Sequence, residues 1–106
     1  MATVHVVLAG ASGRSSTGAT QPVTNSVEYA AQTMTSSATS TQSTAVAPAA
    51  GWEGLFWEVT VSGGNILGKF GSNPTAVSGA GVFITDGQTR NFAVSGPSEK
   101  FAIKDA

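Results

Sequence analysis

The stretch LFWEVTVS, residues 55–62, alternates apolar and polar side chains along most of its length. Its apolar residues recur at every second position from Leu55 to Val61, and Glu58 begins the polar series between them. A period of two is typical of a β-strand with one face buried and the other exposed. The pattern therefore predicts a strand whose inner face carries Trp57 into the core.

Working outward, the rest of the second half consists of short β-rich runs separated by turn residues. The pairs Gly63-Gly64 and Asp86-Gly87 favour tight two-residue hairpins. Turn signals recur about every ten residues, a spacing typical of an antiparallel sandwich or a small barrel. The runs predicted to be strands are NILGKF (65–70), GVFI (81–84), TRNFAVS (89–95) and KFAIK (100–104).

The first half is less regular. TVHVVLA (3–9) alternates like a strand, whereas GASGRSSTGATQP (10–22) has no apolar period and predicts a flexible loop. SVEYAAQTM (26–34) fits a helix or a strand, and its hydroxyl-rich continuation favours the strand. TMTSSATSTQST (33–44) is either a solvated linker or, as we favour, a strand and turn whose hydroxyls meet backbone groups. AVAPAAGWEG (45–54) predicts a loop.

Large aromatic residues are concentrated in the second half, since both Trp and all five Phe lie after residue 50. The core is therefore predicted to come mainly from residues 52–103, with the first half supplying edge strands or an arm that lies on neighbours. The predicted fold is all-β: a small antiparallel β-sandwich or jelly-roll-like barrel with an extended N-terminal segment. Residues 1–106 form one domain, with Ser/Thr/Gly-rich strands and arm in 1–50 and an aromatic-rich β core in 51–106.

The composition limits the classes of function. Only 10% of the residues are charged, against about 25% in a typical soluble domain. A surface with few charges is poorly protected against association, which favours packing against other subunits. A net charge of −1 gives no field to attract nucleic acid. Cys is absent, no apolar run approaches the about 20 residues that cross a membrane, and the first residues lack the basic leader of a signal peptide.

Candidate chemical groups are sparse. His5 is the only histidine and lies in an alternating run, so a structural or exposed role is predicted. Glu53 and Glu58 are five positions apart, which places them on opposite faces of an extended strand and argues against a hydrolytic pair. GASGRSSTG (10–18) lacks the Gly-Lys-Ser/Thr ending of a phosphate loop. The sequence predicts no catalytic residue, no cofactor, no metal site and no enzyme activity.

Exposed aromatic residues are the remaining candidates for a site. Trp52 and Phe56 lie off the apolar face of residues 55–62. Their rings either pack on strands of the first half, anchor a protein–protein interface or stack on a sugar ring. Together with Tyr29, they are predicted as possible interface residues.

Several short motifs of the second half occur in an order that we associate with one group of proteins. An aromatic-Gly pair is followed by an NPTA-like turn, an apolar strand, a turn and a closing strand, and a Ser-rich stretch precedes them. The motifs are TSTQS (39–43), FGSNPTA (70–76), GVFIT (81–85), NFAV (91–94) and GPSEKFAI (96–103). Over residues 36–106 the chain resembles small structural proteins of tailed bacteriophages.

The resemblance implies a virion component without catalytic residues. Such proteins often decorate or cement the capsid lattice, sometimes as trimers with a β-sandwich or jelly-roll-like core. The implied partners are the major capsid protein and further copies of the chain, in a homo-oligomer for which a trimer is one option, with no direct contact to nucleic acid or membrane. The implied location is the capsid exterior of the virion, after synthesis in the host cytoplasm. The alternatives are a tail, head–tail junction or fibre-base component, or a carbohydrate-binding β-sandwich module.

Overall fold

The computed structural model describes residues 1–14, 21–24 and 27–106, and the side chains of residues 1–10 and 27–106 among them. No helix in the described chain is long and apolar enough to cross a lipid bilayer. The described residues form the strands β1 Thr3–Arg14, β2 Gln21–Thr24, β3 Ala30–Thr35, β4 Thr41–Gln42, β5 Leu55–Ser62, β6 Ile66–Gly71, β7 Val82–Ile84, β8 Thr89–Ala93 and β9 Lys100–Asp105.

The strands form two antiparallel sheets that pack face to face. In the first sheet β1 lies between β3 and β5, its last residues pair with β2, and β8 pairs with the far side of β5. In the second sheet the order is β4-β9-β6-β7. The predicted small antiparallel β-sandwich is therefore confirmed. The alternation in LFWEVTVS is confirmed too, because every second side chain of β5 from Trp57 to Val61 is fully buried.

The predicted hairpins at Gly63-Gly64 and Asp86-Gly87 are wrong, because both turns carry the chain from one sheet to the other. The turns themselves exist, with φ of 91° at Gly63 and 82° at Gly87. They lie side by side, since the Gly63 N–H donates to Asp86 Oδ1 at 3.0 Å and the Asp86 N–H donates to Asn65 Oδ1 at 2.9 Å. Turn residues fix a local reversal of the chain but not the sheet that receives the next strand.

The strand order is that of a jelly roll with one change. From β3 to β6 and from β7 to β9 each connection changes sheet, whereas β6 and β7 are neighbours in the second sheet. Without β2, the remaining eight strands have the arrangement of a jelly roll, with one difference in chain order. The position between β3 and β5, which the last strand of a jelly roll normally occupies, is here occupied by the first strand, β1. The two ends of the chain are accordingly close, with the Met1 ammonium 3.6 Å from Asp105 Oδ1.

β1 lies inside its sheet and not at an edge, contrary to the expectation for the first half. Val4, Val6 and Leu8 are fully buried, so both halves of the chain build the core. Alternation in a sequence records that one face is buried, and it looks the same for a central strand and an edge strand. The buried apolar cluster consists of Ala2, Val4, Val6, Leu8, Met34, Ala45, Ala47, Trp57, Val59, Val61, Ile66, Ile84, Val94, Phe101 and Ile103.

The predicted loop over residues 10–22 is wrong for the parts that the structure describes. Residues 11–14 of β1 pair with residues 21–24 of β2, and residues 15–20 lie outside the described residues. Pairing between β1 and β5 ends at Gly10, so β1 and β2 continue as a two-stranded ribbon past this ladder. A ladder of backbone hydrogen bonds needs no apolar period, which is why the sequence pattern gave no sign of it.

Of the two alternatives for residues 26–34, the strand is confirmed over β3 and the helix is wrong. Met34 is buried, whereas Ala31 and Thr33 are exposed. The inner face of β3 is therefore the one that carries Ala30, Gln32 and Met34.

The Ser/Thr-rich residues 33–44 form part of the sandwich, as favoured above, and are not a solvated linker. Ser36 is fully buried. Its Oγ accepts from the Ala2 N–H at 2.7 Å and donates to the Asp105 carboxylate, which ties both ends of the chain to one hydroxyl. Ser43 carries a second buried hydroxyl. Its Oγ accepts from the Phe101 N–H at 3.1 Å and donates to the Ala45 carbonyl at 2.7 Å.

Removing the Ser36 hydroxyl is expected to destabilise the fold measurably. In Ser36→Ala the buried Ala2 N–H loses its acceptor, a loss that costs about 1–3 kcal/mol in the free energy of unfolding. Urea unfolding followed by tryptophan fluorescence measures this. The control is Ser37→Ala. Within the described residues the Ser37 hydroxyl bonds to the exposed backbone of Thr39 alone, so a change below about 0.5 kcal/mol is expected. Equal effects of the two substitutions would contradict the assignment.

The outer face of the second sheet is partly covered by residues 72–81, which connect β6 to β7. Ala102 of β9 is fully buried although it alternates with two core residues. Pro74 and Ala76 are buried as well, and Gln42 Nε2 donates to the Pro74 carbonyl at 2.9 Å. The NPTA turn therefore covers the part of this face at β4 and β9, whereas Phe83 of β7 remains exposed.

Candidate contact surface

The outer face of the first sheet, which we call the first outer face, is formed by alternate positions of β3, β1, β5 and β8. Among its described side chains, Glu58 is the only one that carries a charge at neutral pH when His5 is counted as neutral. Interface cores show such depletion of charge. The face consists of Ala31, Thr33 and Thr35; Thr3, His5, Val7 and Ala9; Phe56, Glu58, Thr60 and Ser62; and Thr89, Asn91 and Ala93.

One end of the first outer face is polar and uncharged. Register places Thr33, His5, Thr60 and Thr89 in one row across four strands. His5 Nδ1 lies 3.2 Å from Thr33 Oγ1, and the hydroxyls of Thr60 and Thr89 are 2.9 Å apart. These cross-strand bonds hold the row in place while its exposed members keep spare donors and acceptors for a partner.

The other end is apolar and centres on Phe56. We call it the Phe56 patch, formed by Val7, Ala9, Ala31, Phe56 and Ala93. Phe56 is paired with Ala9 on one side and with Ala93 on the other, and Val7 is paired with Ala31. The patch thus spans all four strands: Ala31 and Ala93 are exposed, Val7 and Phe56 are half-buried, and Ala9 is buried beneath them. A half-buried aromatic ring among small apolar side chains is the composition expected of an interface anchor.

The other two predicted interface residues, Tyr29 and Trp52, differ in their exposure and in their distance from the core. The Tyr29 N–H donates to the Leu8 carbonyl at 2.7 Å, which places its backbone beside the strand at the Phe56 end, and 55% of the residue is exposed. Trp52 is half-buried and packs against the core cluster. The structure therefore brings Phe56 and Tyr29 to one end of the first sheet and gives Trp52 a share in the core.

Glu99 is a buried carboxylate that the sequence analysis did not single out. Only 4% of the residue is exposed. Its Oε1 accepts from Trp57 Nε1–H at 2.8 Å, and its Oε2 accepts from the Ser95 N–H at 3.1 Å. The sequence indicated that such an acceptor must exist, because Trp57 was predicted to lie in the core and a buried indole N–H needs a hydrogen-bond acceptor. Alternation along a strand does not show which residue provides that acceptor.

Glu99 lines an open cleft of about 440 Å³ at one end of the sandwich. The cleft lies between the end of β6 and the connection from β8 to β9. Its other lining residues are Phe70, Gly71, Ser72, Ser95, Gly96 and Pro97. We call it the Glu99 cleft.

The groups weighed above for catalysis do not converge within the described residues. His5 is exposed on the first outer face and bonds to Thr33. Glu53 lies in the exposed turn before β5, not in the strand, so its expected position on the opposite face from Glu58 is wrong. The described side chains contain no group of three or more His, Asp or Glu that could hold a metal ion.

Comparisons of the chain with protein-family models, with curated proteins and with solved structures find no match.

Proposed function

We propose that the protein is a non-enzymatic structural protein of a bacteriophage virion that decorates and stabilises the capsid by bridging capsid subunits. The observation that carries the proposal is the first outer face, where the Phe56 patch spans four strands beside an uncharged polar row, with Glu58 as the single carboxylate among the described side chains. A face of this kind suits permanent cover by protein, since little charge has to be desolvated on contact. The motif order of residues 36–106 directs the proposal towards a phage virion.

The area of the first outer face limits the strength with which a single copy of the protein can bind the capsid. Four strands spaced about 4.8 Å apart, each rising about 3.4 Å per residue, give a face of roughly 500 Å². A standard interface buries about 800 Å² on each partner, so this face alone gives weak attachment. Repeated contacts on a symmetric lattice, and association of the protein with its own copies, raise the effective concentration and offset that weakness. We therefore propose a homo-oligomer bound to the major capsid protein on the capsid exterior.

The proposal is tested by adding the purified protein to particles assembled without it. Imaging then gives the position and the copy number of the bound protein. Binding across the whole capsid lattice supports the proposal. Binding at a single vertex or along the tail replaces it with a tail, head–tail junction or fibre-base role. Absence of particle binding together with binding to polysaccharide columns replaces it with a carbohydrate-binding module.

The contact face is tested by a matched pair of phenylalanines. Phe56→Ser removes the centre of the Phe56 patch, whereas Phe83→Ser removes an exposed ring, 49% accessible, from the outer face of the second sheet. Loss of a central aromatic anchor costs at least about 2 kcal/mol, so Phe56→Ser is expected to weaken capsid binding at least about 30-fold. Phe83→Ser is expected to stay within about twofold of wild type. The reverse order of the two effects would move the contact to the second sheet.

A further inference from the structure

The Glu99 carboxylate retains hydrogen-bonding capacity, and Glu99 is among the residues that line the cleft. An ionised carboxylate offers about four acceptor sites, and the indole N–H of Trp57 and the backbone N–H of Ser95 use one site on each oxygen. The remaining sites are acceptors, so a group that completes this site must donate hydrogen bonds. Both of the present donors are neutral.

The charge of Glu99 has no side-chain counterion in the described part of the chain. The ion pair found among the described side chains joins the Met1 ammonium to Asp105, so no described Lys or Arg pairs with Glu99. A carboxylate that is 4% exposed and held only by neutral donors favours a cation as its further partner. This favours a cationic group over a sugar hydroxyl, which would leave the charge uncompensated.

The walls of the cleft suit a planar cation. Phe70 is half-buried, and its ring is fixed by three other rings, with centroids 4.5 Å from Phe101, 5.1 Å from Phe92 and 5.9 Å from Trp57. The part of Phe70 that remains accessible lines the cleft. A guanidinium group combines bonding to a carboxylate with stacking on an aromatic face, and it is less strongly hydrated than an ammonium. Gly71 and Gly96 lack side chains that would narrow the cleft. A volume of about 440 Å³ falls within the range of sites that take small ligands.

We propose that the Glu99 cleft binds a guanidinium group, the side chain of an arginine presented by a neighbouring protein. The binding chemistry stands on the cleft alone, whereas the origin of the arginine from a capsid subunit rests on the proposed function. Arginine is enriched at interface hot spots, and this cleft gives it a rigid aromatic wall and a carboxylate held by two hydrogen bonds.

The probe for this site is N-acetyl-arginine methylamide, titrated into ¹⁵N-labelled protein and followed by NMR. Saturable shifts of the Trp57 indole N–H and the Ser95 and Gly96 amides are expected, with a dissociation constant in the millimolar range (on the order of 1–10 mM). The citrulline counterpart has the same shape without the charge and is expected to bind at least about tenfold more weakly. Glucose and galactose are expected to leave these resonances unchanged.

The outcomes separate the two proposals. Equal binding of the arginine and citrulline compounds, binding of a sugar alone, or no shift with any probe up to about 100 mM overturns the guanidinium site. Glu99→Gln keeps an oxygen for the indole and removes the charge, so it should abolish the preference for arginine over citrulline. If that variant does not fold, the comparison in the wild-type protein decides. Capsid binding without arginine binding rejects this inference alone, and arginine binding without capsid binding rejects the proposed function alone.

Discussion

Gly68→Ala is expected to lower the free energy of unfolding by about 2–3 kcal/mol, the cost of forcing an extra carbon into a filled core. A Cβ built on Gly68 lies 2.5 Å from Cε1 and 2.6 Å from Cζ of Phe101. Such contacts are cheap when the neighbouring side chain can move, and this one cannot. Phe101 is fully buried and stacks on Phe70 at 4.5 Å, so the strands β6 and β9 have to separate instead.

The control for this substitution is Gly96→Ala. A Cβ on Gly96 meets no atom within 4 Å, and the residue lacks the positive φ that would strain an alanine. Urea unfolding should place this variant within about 0.5 kcal/mol of wild type. In the double variant Gly68→Ala/Phe101→Leu the smaller side chain should recover part of the loss, giving a coupling energy of about 1 kcal/mol or more. Additive effects would show that the ring is not the obstacle.

Glu99→Ala is expected to cost about 2–3 kcal/mol in the free energy of unfolding, because it leaves one buried donor and one part-buried donor without an acceptor; a buried donor left unsatisfied costs about 1–3 kcal/mol, and a part-buried one costs less. The donors are the Trp57 indole N–H and the Ser95 backbone N–H. Glu53→Ala removes an exposed carboxylate from a turn and should change stability by less than about 0.5 kcal/mol. Thermal and urea unfolding of the three proteins measure the difference.

A double-variant cycle shows whether the indole bond carries this cost. In a Trp57→Phe background one of the two donors is already gone, so Glu99→Ala should cost about 1–2 kcal/mol less than it does in the wild-type protein. An unchanged cost would mean that Glu99 stabilises the fold through other contacts. Because Trp57 is fully buried, its own substitution also removes packing, and the cycle cancels that contribution.

Sequence patterns predicted the local properties of this fold and not its long-range pairing. The inner faces of β1 and β5 follow from alternation, since the burial of a face repeats every two residues. The sheet change after Ser62 does not follow, because a glycine turn allows both a hairpin and a crossing. The central place of β1 is equally invisible, since its partners lie far along the chain, with Thr3 opposite Ser62.

The candidate site was predictable to the same extent. Phe56 was singled out because it lies off the apolar face of its strand, and it does lie on the outer face. Trp52 shared that description, but its half-buried place against the core depends on the path of the loop before β5, which no local pattern fixes. Glu99 was not predicted at all, because its partners Trp57 and Ser95 meet it only through the packing of the two sheets.

The order of the strands also bears on when the protein can fold. β9 lies between β4 and β6 in the second sheet, yet residues 100–105 leave the ribosome after the other strands described above. Until then β4 has no partner and β6 pairs only with β7, so the second sheet is incomplete and covers the inner face of the first sheet only in part. Topologies with such distant pairing fold in about milliseconds to seconds, and their unpaired strands are open to aggregation meanwhile. Folding of this domain during synthesis therefore has to wait until residues 100–105 have left the ribosome.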